Sequence, residues 1–469
     1  MKLNKTKIVA TLGPASSPRA MLKKLLKAGV DVFRINFSHA SYDETIDTIK
    51  NIRELSVDLK IHVSILGDLQ GPKIRLGLVK EKSFLSKGDI LEITTKNLPM
   101  GNEKCVSINY LDFPKDVNSG EKILINDGKL IFKVLETNKK DLVKVLVLQG
   151  GPLESRKGVN LPNTKISLPA LTKKDKEDAL FAIKHELDWI ALSFVRSKKD
   201  IRVLEKLIED NSNYKIPIIA KIEKPEAIEN MDEIIKKSDG IMVARGDLGL
   251  EIPTEEVPLN QKLLVKKAKK ARKPIIIATQ MMESMINSLT PSRAEVNDVA
   301  NSIMDGADAV MLSGETSVGK FPVEVVETME RIIKRVEDSP LIKSPFEAPA
   351  LKSKRLLTKS VCFHAASIAN ELSASAICTL TNSGYTAWMI SSLRPGSMIL
   401  VFTSNKRILS QLNLLWGVKC LFYDNFVSTD TTIAEVNQMA IESGFIKKND
   451  YVINLSAMPI VEKLSLIHI

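Results

Sequence analysis

Eight short apolar runs, most of them followed by an amphipathic helical segment, constrain this chain more than any other feature. They are KIVATLGP from Lys7, DVFRINFSHA from Asp31, HVSILGDLQGP from His62, DWIALSFVRS from Asp188, PIIAKIEKP from Pro217, GIMVARGDLG from Gly240, PIIIATQMM from Pro274 and AVMLSGETS from Ala309. Stretches such as SPRAMLKKLLKAG and ETIDTIKNIREL lie between them, with apolar residues at helical spacing. Strand–helix alternation of this kind predicts a parallel sheet, and eight units predict a (β/α)8 barrel over 1–70 and 168–339.

The rhythm breaks after the third run. Across 71–167 it gives way to short β-like pieces, GDILEITT, EKILINDGKL and DLVKVLVLQG, with a tight-turn signal at Asn126 to Gly128. An inserted all-β domain is expected there. SPLIKSPFEAPALKS, around Pro340, reads as a linker, and 340–469 as a further α/β domain with strands in SASAICTLTNSG, SMILVFTS, VKCLFYD and DYVINLSAMP. The expected class is therefore α/β, in three parts.

Charge and cysteine content narrow the partners. The net charge of +11 invites a nucleic-acid reading, but Lys and Glu are intermixed and no basic stripe is interleaved with aromatics. The densest run, KLLVKKAKKARK from Lys262, has helical apolar spacing and reads as a solvated face. Small anionic substrates suit the charge better. The four cysteines lie far apart without a CxxC, which predicts free thiols in a reducing compartment and no zinc site. The apolar run in MKLNKTKIVATLGP is too short for a signal peptide, and no stretch approaches a membrane span. A cytoplasmic protein without nucleic-acid or membrane partners is expected.

Polar residues follow nearly every barrel strand: Arg34, Asn36 and Ser38 after the second, Asp68 after the third, Lys221 and Glu223 after the fifth. Arg245 and Asp247 follow the sixth, Thr279 the seventh, Ser313 and Glu315 the eighth. In a barrel these ends converge on one mouth. Local ion pairs or caps would account for any one of them; a shared site accounts for the set. Glu223 and Asp247 are hard oxygen ligands from adjacent strands, suited to Mg²⁺ or to Mn²⁺ in its place. Lys221 and Arg34 are cations fit to hold a transferring phosphoryl group. GDLG, from Gly246, opens a turn whose free N–H groups suit a carboxylate. The implied ligand is a phosphate-bearing carboxylate.

Two lures compete. GETSVGK, from Gly314, matches part of a P-loop, but Phe321 replaces the metal-binding hydroxyl and Pro322 suits a helix start. Lys221 as a Schiff-base amine would have to be neutral, whereas Glu223 favours the charged form.

These residues lie in longer blocks: RINFSHA (34–40), GDLQGPKIR (67–75), KGVNLP (157–162), KIEKPEAI (221–228), MVARGDLGLEIP (242–253), ATQMMESM (278–285) and PSRAEVNDVANSIMDGADAVMLSGET (291–316). On them the chain resembles the pyruvate kinases. The resemblance implies a barrel, an inserted β-barrel lid, a C-terminal α/β domain and a homotetramer. It also implies phosphoryl transfer from phosphoenolpyruvate to ADP, giving pyruvate and ATP, the last step of glycolysis. By motif position Lys221 resembles the phosphoryl-neutralising lysine, Glu223 and Asp247 the Mg²⁺ ligands, and Arg34 the substrate-phosphate arginine. The backbone at Gly246 and Asp247 resembles the carboxylate site, and Thr279 the threonine beside the enolate carbon. Asn36, Phe37, Ser38, His39 and Arg75 resemble nucleotide contacts, and Asn36, Ser38, Asp68 and the Leu69 carbonyl a monovalent-cation site.

Departures from the family pattern carry their own expectations. Where the common block reads DTKGPEIR this chain reads DLQGPKIR, so that Lys73 replaces a glutamate and an ammonium stands near the K⁺ position. Activity without added K⁺ is expected. Ala40 for glycine and Ser292 for threonine should be tolerated, and Ser197 replaces a basic residue whose nucleotide contact is not carried over. Thr381, Asn382, Ser383 and Gly384 resemble the loop that takes the phosphate of a sugar-phosphate activator; the bland reading is a strand-to-helix turn with a capping serine. An aldolase or lyase of the phosphoenolpyruvate/pyruvate barrel type and a catalytically inactive regulatory relative remain as alternatives. The presence of Lys221, Glu223, Asp247 and Thr279 argues against the second.

Overall fold

All eight apolar runs form strands in the computed structural model, which describes residues 4–162, 164–339, 348–349 and 353–456. The strands are Lys7–Thr11, Val32–Asn36, Ser64–Asp68, Trp189–Leu192, Ile218–Ile222, Gly240–Ala244, Ile275–Ala278 and Ala309–Leu312, paired in parallel into a closed barrel. Most are buried along their whole length, as parallel strands covered on both faces must be. Outward residues pack under the helices, while Val9, Val32, Leu66, Trp189, Ile219, Met242, Ile276 and Met311 fill the interior. The (β/α)8 expectation is borne out.

Ser64–Asp68 pairs directly with Trp189–Leu192, so the inserted segment leaves and returns between adjacent barrel strands. Its ladder is a six-stranded sheet (Ile90–Thr94, Cys105–Ser107, Lys122–Ile125, Leu130–Thr137, Leu142–Gln149, Val159–Asn160) plus the pair Phe84–Leu85 and Gly151–Pro152. Burial alternates along Leu142–Gln149, the period-two signature of a strand with one face on a core. The NDG turn joins two antiparallel strands with Asn126, Asp127 and Gly128 all at positive φ. At the entry, Gly71 has φ +71, and a Cβ there would meet the Phe194 ring at 2.6 Å.

The C-terminal part carries Ala376–Leu380, Met398–Thr403, Val418–Phe422 and Val452–Leu455 in one four-stranded parallel sheet. Most of the expected linker (340–347 and 350–352) and the end of its last strand motif, from 457, lie outside the described residues. This domain seals the N-terminal end of the barrel. Leu414 joins the interior cluster, Trp189 Nε1 donates to the Gln411 carbonyl at 3.0 Å, and Asn413 Nδ2 donates to the Asp31 carbonyl at 2.9 Å. The opposite end, where the strands finish, is left for chemistry.

Several local readings resolve here. Ser292 caps the helix Arg293–Asp305 in a reciprocal box with Glu295, so serine keeps the hydroxyl function of the threonine it replaces. Ser197 caps Lys198–Asn211 in the same way, which gives its hydroxyl a structural task. Pro322 opens the helix Pro322–Glu337, and the Gly319 N–H bonds to the Gly314 carbonyl of its own loop, unlike a phosphate cradle. Lys262 and Lys267 pair at the surface with Asp305 and Asp232. Among the described residues no helix is long and apolar enough to cross a membrane.

The sealed end holds one unusual cation. Lys7 is fully buried, donates to the Val418 carbonyl at 2.7 Å and lies 3.6 Å from Asp31, which Lys419 also approaches at 3.0 Å. Burial, then repulsion by Lys419, pulls its pKa from 10.5 to about 7. The unfolded lysine therefore binds more protons than the folded one between about 7 and 10.5, so this group's contribution to stability rises with pH through that window. Thermal unfolding midpoints at pH 7 and 9 should rise with pH more for the parent chain than for Lys7→Met; equal slopes would refute the assignment.

Candidate active site

Strand alternation sends Lys221 and Glu223 to the same side, at the mouth left open by the C-terminal domain. Lys221 Nζ lies 2.9 Å from Glu223 Oε1 and 3.1 Å from Asp68 Oδ1, and Asp68 Oδ2 accepts from Arg34 Nε at 2.6 Å. The four charges thus alternate across strands two, three and five, with side-chain exposures between 1% and 10%. Burial pulls the Lys221 ammonium down, but Asp68 and Glu223 outweigh it and hold its pKa above the ordinary lysine range. Burial alone would raise Asp68; Lys221 and Arg34 keep it below the usual carboxylate range. Glu223 ends up raised, by burial and by the neighbouring Asp247 charge, against the pull of Lys221. Apolar side chains of similar volume would often be as stable as such a buried network, so its presence points to a functional demand.

The raised Glu223 is also the test of fit for a divalent cation. Two carboxylates repel one another at the mouth, and a cation between them would relieve that. No group of three or more His, Cys, Asp or Glu that could hold a metal occurs among the described residues. Two carboxylates with the remaining positions left to water and substrate oxygens is the pattern of Mg²⁺ rather than of a closed metal cage. The donor set fits.

Three mouth residues escaped the sequence reading. Ser193 accepts from Lys221 Nζ at 2.7 Å and donates to the Leu69 carbonyl at 2.7 Å, and the Phe194 N–H binds Glu223 Oε2 at 2.7 Å. Thr11 Oγ1 accepts from Arg34 at 3.0 Å. Thr11 ends one barrel strand and Ser193 directly follows another, both inside quoted runs, and that position was the available signal.

Other expected members do not point into the mouth. Arg245 grips Asp298 at 2.7 Å and the Thr279 carbonyl at 2.8 Å, and so acts as a buttress. Glu315 accepts from the N–H groups of Ser313 and Met282 at 2.7 and 3.2 Å, tying two loops together. Nor is the GDLG turn free: it is the first turn of the helix Arg245–Glu251, and the Gly246 N–H donates to Thr279 Oγ1 at 2.7 Å. Thr279 itself has φ +69, a strained conformation for a β-branched residue, followed by Gln280 at +54.

Asn36 Oδ1 accepts from the Ser38 N–H at 3.2 Å, whereas the Phe37 ring is buried edge-on against Phe181, its N–H donates to the Asp68 carbonyl at 3.1 Å and its carbonyl accepts from Lys174 Nζ at 2.9 Å. Partial burial and the charges of Lys73, Arg75 and Arg34 depress the His39 imidazole, so positive field gathers at this corner. Lys73 is exposed. Far from the mouth in sequence, the Thr381–Gly384 loop closes on itself: Gly384, at φ +77, donates its N–H to Thr381 Oγ1 at 3.0 Å. The helix Tyr385–Leu393 has Gly384 at its N-cap and no side-chain cap, so the capping-serine reading is corrected.

Comparison with known proteins covers nearly the whole chain. The family model described as pyruvate kinase, barrel domain, matches residues 3–326, and pyruvate kinase, alpha/beta domain, matches 359–469. Pyruvate kinase 2 of Synechocystis sp. is 43% identical over 454 residues, 96% of this chain and 76% of its own length. The pyruvate kinase of Geobacillus stearothermophilus is 41% identical over 460 residues, 98% of this chain and 78% of its own. A solved structure of a pyruvate kinase from Cryptosporidium parvum superposes with a TM-score of 0.90 at 36% identity, covering 97% of this chain and 94% of that one. Matched in both parts, and carrying a buried charge network at the open end of its barrel, the chain belongs to the pyruvate kinase family of phosphotransferases.

Proposed function

We propose that Lys221 and Arg34 neutralise the phosphoryl group as it passes from phosphoenolpyruvate to ADP, and that Glu223 and Asp247 would hold Mg²⁺, or Mn²⁺. The alternating network Arg34–Asp68–Lys221–Glu223 carries this reading: it delivers two fixed cations to one buried point and keeps Lys221 protonated. A preorganised charge of this kind acts on the transition state without waiting for solvent to reorganise. When bound, the metal supplies further positive charge to the phosphoryl oxygens. Gly246 and Asp247 receive the substrate carboxylate, which takes the Gly246 N–H from Thr279; the Thr279 hydroxyl still donates to the Ala278 carbonyl at 2.6 Å, and its released lone pair accepts from the proton-donating water at the enolate carbon. Asn36, Ser38, His39 and Arg75 face the nucleotide, and the buried Phe37, tied through its backbone to Asp68 and Lys174, holds that corner in place. The inserted domain, 71–167, serves as the lid that excludes water. An aldolase-type Schiff base is disfavoured because the amine is held charged.

The reading extends to a cytoplasmic homotetramer, for which the exposed Leu259, Leu263 and Met304 on two neighbouring helices leave apolar surface. It also includes an effector-phosphate role for Thr381, Asn382, Ser383 and Gly384. For the monovalent site at Asn36, Ser38, Asp68 and Leu69, the Lys73 charge stands in for K⁺. The test is pyruvate release from phosphoenolpyruvate, ADP and Mg²⁺ in K⁺-free buffer. Full turnover there, with a K⁺ requirement appearing in Lys73→Glu, supports the assignment. A strict K⁺ requirement in the parent chain discards the Lys73 role and keeps the kinase; no turnover with or without K⁺ refutes the site reading.

A further inference from the structure

Directly behind the proposed metal ligands lies a second buried ion pair. Lys224 Nζ is 2.9 Å from Glu251 Oε1, with side-chain exposures of 4% and 1%. Lys224 follows Glu223 in sequence and, being extended, points to the opposite side. Glu251 closes the short helix Arg245–Glu251 that carries Gly246 and Asp247. The pair therefore ties the segment bearing one proposed ligand to the helix bearing the other.

A third group reaches it from the inserted domain. Asn160 Nδ2 donates to the same Oε1 at 3.0 Å, while Glu251 Oε2 is buried and has no hydrogen-bond partner among the described residues. Asn160 ends the strand Val159–Asn160, held against Leu124, and Gly128 of the next turn faces Leu250 on the helix. A carboxylate that takes both donors on one oxygen and none on the other is poorly satisfied as a purely structural element.

We infer that Lys224 and Glu251 form a clamp setting the separation of Glu223 and Asp247, and that Asn160 couples the position of the lid to that clamp. All three bind one another rather than project into the mouth beside Lys221; they are positioning residues. The inference rests on the reading of Glu223 and Asp247 as metal ligands. Supporting groups behind metal ligands typically change metal affinity by about 10–100-fold when removed. Misplacement of a catalytic group by about 1 Å can cost about a hundredfold in rate.

The experiment measures Mn²⁺ affinity by electron paramagnetic resonance on the full chain without substrates, alongside kcat and KM. Lys224→Met/Glu251→Leu removes both charges together, so no unpaired ion is left behind. The expected result is a folded protein whose Mn²⁺ dissociation constant rises about tenfold or more. Asn160→Ala should lower kcat about tenfold in the parent chain, with KM for phosphoenolpyruvate little changed, and have no further effect in the double variant. If the double variant does not fold, Glu251→Gln carries the same expectation. Unchanged Mn²⁺ affinity in a folded variant overturns the clamp, and equal Asn160→Ala effects in both backgrounds overturn the lid coupling. Glu223→Gln separates the readings: lost Mn²⁺ binding there beside intact binding in the clamp variant sinks the clamp alone, whereas intact binding in Glu223→Gln sinks both.

Discussion

Lys221→Met lowers kcat for pyruvate formation by about three orders of magnitude. Among the described residues the ammonium is the only lysine charge placed between Asp68 and Glu223, and its own surroundings keep it protonated. Methionine fills a similar volume without charge, so the phosphoryl group would meet Arg34 alone. The change also leaves two buried carboxylates short of a partner, and breaking a buried pair costs about 3–5 kcal/mol of stability. Rates must therefore be referred to folded protein, checked by circular dichroism at the assay temperature. Lys221→Arg keeps the charge but cannot reproduce the 2.7 Å contact to Ser193, so its rate should fall between the two. A folded Lys221→Met enzyme within tenfold of the parent would remove Lys221 from the chemistry. Borohydride with pyruvate should trap no adduct on the parent chain, and a trapped adduct would revive the Schiff-base reading.

Glu223→Gln should weaken Mn²⁺ binding by at least about tenfold and lower kcat/KM by about two to three orders of magnitude. The substitution is isosteric, and the amide oxygen can still accept from the Phe194 N–H, so the loop after strand four should stay in place. What is lost is the second negative charge beside Asp247; burial first, and the Asp247 charge after it, raise the Glu223 carboxyl. Raising the Mn²⁺ concentration should recover part of the rate. Recovery to the parent value would mean that Glu223 affects affinity alone; an unchanged Mn²⁺ dissociation constant would place the metal elsewhere. Lys221 keeps Asp68 in this variant, so the fold should suffer less than in Lys221→Met.

The barrel was legible because its signal is local and repeated. Each run of β-branched and aliphatic residues needs burial on both faces, and a parallel sheet with helices outside is what satisfies eight of them in order. Much of the charge network was legible for a related reason: residues two apart on a strand share a face, and strand ends in a barrel share a mouth. The same reasoning overreached at Arg245 and Glu315. Position at a strand end says where a side chain starts; Asp298 and the N–H groups of Met282 and Ser313, distant or hidden in the text of the chain, decide where it goes. Gly246 shows the converse, since the partner of its N–H is a hydroxyl 33 residues away.

Sequence by itself determined the barrel, the inserted β segment, the C-terminal α/β part, and the residues Arg34, Asp68, Lys221 and Glu223 as one cluster. Periodicity and alternation are properties of short segments, and a repeated motif spacing survives without coordinates. Only the tertiary structure decided that Ser193 bridges Lys221 to Leu69, that Thr279 sits in a strained conformation against Gly246, and that Lys224, Glu251 and Asn160 meet behind the site. Those contacts join segments far apart along the chain, and their partners are selected by burial: most polar atoms deprived of water bind what the fold brings within about 3 Å.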